Sequence, residues 1–141
     1  MAAMTFNVEF DGYWREENIG SIPDKSGVYC VYECTHNREE KTVSIHRLIY
    51  IGEARDARDR IQNHEKWQEW KRHVRSGNEL CFSFGYVQSE NRNRVEAAFI
   101  FEHKPPENDE YKDEFPFDTT TINASGKTAL LHTNFTVHRT D

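Results

Sequence analysis

Apolar side chains alternate with others along several stretches of this chain. From Gly27 to Glu33, Val28, Cys30 and Tyr32 fall on one side and Tyr29, Val31 and Glu33 on the other. A two-residue period of this kind predicts a strand. Leu48 to Gly52 predicts its partner, and the polar run from Glu33 to Arg47 reads as a long hairpin connection. Phe6, Val8 and Phe10 predict a short strand or extended arm before Ile22–Gly27, which has turn chemistry. The period then changes. Ala57, Ile61, Trp67, Trp70 and Val74 can form an apolar stripe, which predicts a helix from about Ala54 to Arg75 stopped near Gly77.

Cys81 to Val87 reads as a third strand. Ser89 is a candidate N-cap for a helix that carries Val95, Ala98, Phe99 and Glu102 on one side and ends before Pro105-Pro106. Residues 107–118 read as a loop or short irregular helix, 119–122 as β-prone, 123–127 as a turn, and 130–137 as a late strand. This order predicts an α+β fold, a small, mostly antiparallel sheet flanked by helices. A chain of 141 residues without repeats or an internal linker is expected to be one domain. Its core spans about 22–108, with an acidic loop and C-terminal extension over 109–141.

Composition changes the picture in two places. Hydrophobic content is low at 36%, but nine Phe, six Tyr and three Trp supply large buried areas, so a packed core is expected. The net charge of −6 runs against polyanion binding, until its distribution is read. Residues 107–118 alone hold six acids and one Lys, and 53–75 hold seven Lys or Arg against five acids. A local basic face can bind a polyanion on an acidic protein. No apolar run approaches the ~18 residues of a membrane span, and the start lacks a secretory pattern. Three Cys, an odd count inside apolar runs, point to reduced thiols and a cytoplasmic setting. Cys30 and Cys34 share a strand face and have no second pair, so zinc is not expected.

The candidate chemistry lies in five places. Gly27-Val28-Tyr29 and Tyr50-Ile51-Gly52 close the paired strands, and alternation allows both tyrosines to reach one face. Arg60 stands eight residues after Gly52, and His64 stands four after Arg60, on the same side of the predicted helix. Glu96 opens an apolar helical run ending in Lys104-Pro105-Pro106-Glu107-Asn108. Ser125-Gly126-Lys127-Thr128 has only the tail of a phosphate loop and reads as a turn, and Trp67 and Trp70 read as core.

This set, in this order, resembles the GIY-YIG nuclease family over most of residues 24–108. The resemblance implies a metal-dependent DNA endonuclease of restriction or repair type. Tyr29, Tyr50 and His64 would surround the attacking water, with His64 as a base or a phosphate contact. Arg60 would neutralise the scissile phosphate, and Glu96 would bind Mg²⁺ or Mn²⁺. Gly52 would let backbone approach the substrate, and Asn108 would orient the loop or contact the phosphate. Two departures stand out. Glu53 follows Gly52 where many members have Lys, and twenty residues separate Tyr29 from Tyr50, as in longer restriction-type members. Glu53, the acidity and the lack of a separate DNA-recognition domain motivate an alternative, a binding module of this fold with little catalysis. A protein partner supplying specificity is a third option, and oligomeric state is open.

Overall fold

A computed structural model describes residues 2–140. The chain is α+β, built on one mixed six-stranded sheet with three short helices and two 3₁₀ turns. The strands are β1 (Met4–Arg15), β2 (Gly27–Asn37), β3 (Thr42–Ala54), β4 (Glu79–Tyr86), β5 (Thr120–Gly126) and β6 (Asn134–Val137). Their spatial order is β3-β2-β4-β1-β5-β6. Every pairing is antiparallel except β1 with β5. The helices are α1 (Ala57–Gln62), α2 (Trp67–Lys71) and α3 (Arg92–His103).

Both sheet faces are covered, which is why β2 is buried along Gly27–Cys34. Val28, Cys30, Tyr32 and Cys34 join the core beneath α3 and the C-terminal strands. Tyr29 and Val31 point the other way, into a core with Ile61 of α1 and Trp70 of α2. The alternation read from 27–33 is therefore the actual division between the two cores.

Several local expectations give way to tertiary pairing. The segment 33–47 is not a loose connection. β2 and β3 remain paired out to Asn37 and Thr42, leaving only residues 38–41 as the turn. Cross-strand hydrogen bonds sustain a polar ribbon that composition alone marks as loop. The helix expected over 54–75 is two helices. Asp56 caps the first by accepting from the Asp59 N–H at 3.0 Å, and Asn63 ends it with backbone φ −117°. Breaking the rod lets Ile61 and Trp70 enter one core from different directions. Ser89 does not cap α3. It opens a 3₁₀ turn, Ser89–Asn91, and Asn91 takes the N-cap position without a side-chain bond.

β1 is neither short nor an arm. It runs through twelve residues, between β4 and β5. β5 continues to Gly126 through the expected 123–127 turn, because its parallel pairing with β1 runs to Phe10↔Gly126. The late strand is confined to Asn134–Val137. Residues 107–118 form turns without a helix, and buried Phe115 anchors them.

Candidate active site

The β2–β3 hairpin sets the two tyrosines. Tyr29 lies opposite Gly52, and Tyr50 lies opposite Val31. The register shifts between Val31 and Tyr32, whose partners are Tyr50 and Leu48, so Ile49 is an extra residue in β3. That bulge puts Ile49 and Tyr50 both toward the α1–α2 core. The tyrosine rings are 6.3 Å apart. Gly52 serves Tyr29 rather than an open approach to substrate. A Cβ at Gly52 would lie 2.4 Å from the Tyr29 phenol oxygen, so only glycine lets that ring cross the strand. Burial raises the pKa of both hydroxyls, Tyr50 to about 12 and Tyr29 well above its ordinary value. Both are protonated at neutral pH.

His64 completes the aromatic cluster by a route the sequence did not suggest. α1 stops at Gln62, so His64 does not share its helical face with Arg60. It sits in the bend before α2, with its ring 4.4 Å from Trp70, 5.4 Å from Tyr50 and 6.5 Å from Tyr29. Burial first, then the nearby Arg60 cation, pushes its pKa down to about 4. The ring is thus neutral at pH 7. Its Nδ1 accepts the Lys66 N–H at 3.0 Å, which places the proton on Nε2. That Nε2 is buried and has no hydrogen-bond partner.

Arg60 lies in the last turn of α1. Both terminal nitrogens donate to Glu65, Nη1 to Oε2 at 2.7 Å and Nη2 to Oε1 at 2.9 Å. A carboxylate therefore occupies the planar fork that would otherwise meet two phosphate oxygens. Sequence reading missed Glu65, which is five residues from Arg60 and looked like one more helical surface charge.

Glu96 belongs to α3, which packs on β3. Burial first, then the charges of Glu53 and Glu110, pushes its carboxyl up to about 8. Its charge is also close enough to raise both tyrosines. Glu53 is not unopposed. Arg92 donates to it from Nε at 2.6 Å and from Nη1 to Ser26 Oγ at 3.0 Å, while Ser26 donates to the Val87 carbonyl at 2.6 Å. Arg92 supplies a cation beside the position where Lys was absent. Its spacing of one helical turn before Glu96 was the available signal.

Asn108 is tied to β3. Its Oδ1 accepts the Ile51 N–H at 3.0 Å and its Nδ2 donates to the Ile51 carbonyl at 2.8 Å. The Glu107 N–H also donates to the Ile49 carbonyl. The segment after α3 thereby seals the outer edge of β3. The Asn108 amide holds the strand and both its ends are engaged.

The residues present fit a divalent cation in a limited way. Glu96 is a hard oxygen donor whose ionised form is opposed by burial and by two neighbouring carboxylates. No group of three or more His, Cys, Asp or Glu side chains converges as a metal cage among the described residues. A single carboxylate suits Mg²⁺, which keeps most of its waters. Tyr29, Tyr50, His64, Arg60 and Glu96 are thus brought into one neighbourhood, with Gly52 and Asn108 as its supports. Compared with protein-family models, curated proteins and solved structures, the chain gives no significant match.

Proposed function

We propose that this end of the β2–β3 hairpin is the active site of a metal-dependent DNA endonuclease of GIY-YIG type. One observation carries the reading. Groups far apart in sequence, two protonated tyrosines, an imidazole with a free buried N–H, a guanidinium fork and a carboxyl opposed by like charge, converge on one strand edge. The antiparallel β3-β2-β4 unit, with α1 and α3 on its two sides, supports the family-level fold assignment. Three free, buried cysteines support a reducing, cytoplasmic setting. No helix among the described residues is long and apolar enough to cross a membrane.

The chemistry is hydrolysis of a phosphodiester. A water oxygen forms a bond to phosphorus, the bond to the leaving oxygen breaks, and a proton passes from the water to the departing oxygen. A bound Mg²⁺ or Mn²⁺ supplies Lewis-acid stabilisation of the phosphoryl oxygen and leaving group. Glu96 would hold that cation. Tyr50 and Tyr29 orient the water through their hydroxyls and relay its proton. His64 donates from Nε2, because its Nδ1 lone pair is already engaged by Lys66. Of its two expected roles, phosphate contact is the better supported. Arg60 meets the phosphate once Glu65 yields, and such stabilisation is worth about 3–4 kcal/mol of barrier. Restriction-type or repair-type use, and a partner supplying specificity, remain within this proposal.

The test is nicking of supercoiled plasmid with Mg²⁺ or Mn²⁺, abolished by EDTA. Glu96→Gln should cut at least ~100-fold more slowly while unfolding at no lower a temperature than the parent. Equal cutting by Glu96→Gln overturns the assignment. The Arg60–Glu65 pair favours a second reading, a nucleic-acid binding module without catalysis. Duplex binding with no nicking under any metal would establish that reading instead.

A further inference from the structure

A second cleft lies at the opposite end of the hairpin. It has a volume of ≈ 490 Å³ and is formed by β1, the ends of β2 and β3, the 3₁₀ segment after β1 and the turn after β5. Arg15, Asn18, His36, Lys41, Thr42 and Lys127 contribute to its wall. No Asp or Glu is among its lining residues, on a chain whose net charge is −6. Small-ligand sites commonly occupy ~300–1,000 Å³.

The charges here are not equivalent. Arg15 is already held, by Glu79 at 2.8 Å and by Glu17. Lys41 and Lys127 have no acidic partner among the described residues, and both are exposed. Both lie in bends of the backbone. Lys41 adopts φ 57° in the hairpin turn. The Lys127 N–H donates to the Phe10 carbonyl at 2.9 Å, directly after Gly126 at φ 83°. His36 shares the wall with them, and its Nδ1 is buried without a partner. A buried polar atom left unpaired calls for a ligand or a function. Two free ammoniums, an imidazole and the neutral donors Asn18 and Thr42 suit a tetrahedral anion with several oxygens better than a single carboxylate.

We propose that this cleft binds phosphate groups, carried either by a nucleic-acid backbone or by a free polyphosphate. It is separate from the catalytic cluster. His36 is seven residues beyond Tyr29 along β2, roughly 23 Å at strand rise, and faces the other side of the sheet. None of its residues takes part in the hydrolysis proposed above. Ser125–Thr128, the end of β5 and the bend after it, would then meet phosphate through Lys127 alone, without a phosphate loop.

The experiment follows the His36 imidazole by NMR, assigned with His36→Gln, while pyrophosphate is titrated into the full chain in EDTA. A saturable His36 shift is expected. In Lys41→Glu/Lys127→Glu the apparent affinity should fall at least ~10-fold, about 1.4 kcal/mol, with an unchanged unfolding temperature. Adding a short blunt DNA duplex distinguishes the two sources. Displacement of pyrophosphate assigns the site to nucleic-acid backbone, and undisturbed binding assigns it to a free polyphosphate. An unmoved His36 resonance, or equal binding by the doubly reversed variant, overturns the proposal. Plasmid nicking is measured separately, so the nuclease reading and this site fail independently.

Discussion

Arg94 and His64 are buried to nearly the same degree, 5% and 6% exposed, yet they are treated in opposite ways. Arg94, on α3, is fully provided for. It donates to Thr120 Oγ1 at 2.8 Å and to the carbonyls of Ala2, Asp118 and Thr119, and it lies over the Phe6 ring. It fastens the start of the chain, α3 and β5 together. His64 makes one hydrogen bond and leaves Nε2 unpaired, next to Trp70, whose indole nitrogen is also unpaired. Glu96, nearby, is a carboxyl whose ionised form its surroundings oppose. Arg94 is repaid for its burial in hydrogen bonds, whereas His64 and Glu96 are left short of partners, a state that buried groups at functional sites often share.

The contrast is open to attack, first at Arg94. Arg94→Met keeps part of the apolar stem but removes all four of its hydrogen bonds. We expect a loss of about 3–4 kcal/mol in denaturant unfolding, with any nicking retained per folded molecule. A smaller cost would mean that Arg94 is dispensable and that its satisfied bonds say little. Asn108→Ala comes next. It removes both partners of the Ile51 peptide at the sheet edge and should cost about 2–3 kcal/mol, read in the same way. Weaker plasmid binding without lost stability would instead make Asn108 a substrate contact.

A pH series sharpens the other side. Glu96 titrates at about 8 in the fold against an ordinary 4.5, so the folded chain binds the extra proton and stability falls as pH rises between those values. His64 titrates at about 4 against 6.5, so its contribution is lost as pH falls from 6.5 toward 4. The two oppose each other below 6.5, and above it Glu96 alone of the pair acts. Parent protein should lose about 1–2 kcal/mol from pH 6.5 to 8, and Glu96→Gln should flatten that slope. A parallel slope in both proteins removes the claim that Glu96 is electrostatically opposed. The smallest effect is at Glu65. Glu65→Gln loosens the hold on Arg60 and should tighten duplex binding about 3- to 10-fold. Unchanged binding would show that the fork is not reserved for phosphate.

The hairpin faces were legible because strand alternation is a local property. Tyr29, Val31 and Tyr50 are assigned correctly by counting alone, and the bulge beyond Tyr50 adds Ile49 to their face. Arg60 and Glu96 were singled out by the resemblance, and His64 arrived beside Tyr50 for a different reason from the one its spacing implied. β1 was underestimated because its value lies in distant partners. Phe10 pairs with Gly85 on one side and Gly126 on the other. Glu65 and Glu110 were illegible as site neighbours because each is an ordinary surface residue until the chain folds, while Arg92 offered only its spacing from Glu96.

Periodicity and residue type set the strands, the two-core division and the chemical inventory of this protein. Folding assigned the partners. It gave Arg92 to Glu53, Asn108 to Ile51 and Glu65 to Arg60, and it left His64 Nε2 with none. The reason is physical. A side chain's period is written in its immediate neighbours, but its hydrogen bonds, its desolvation and the charges that shift its pKa come from segments brought close only by the sheet.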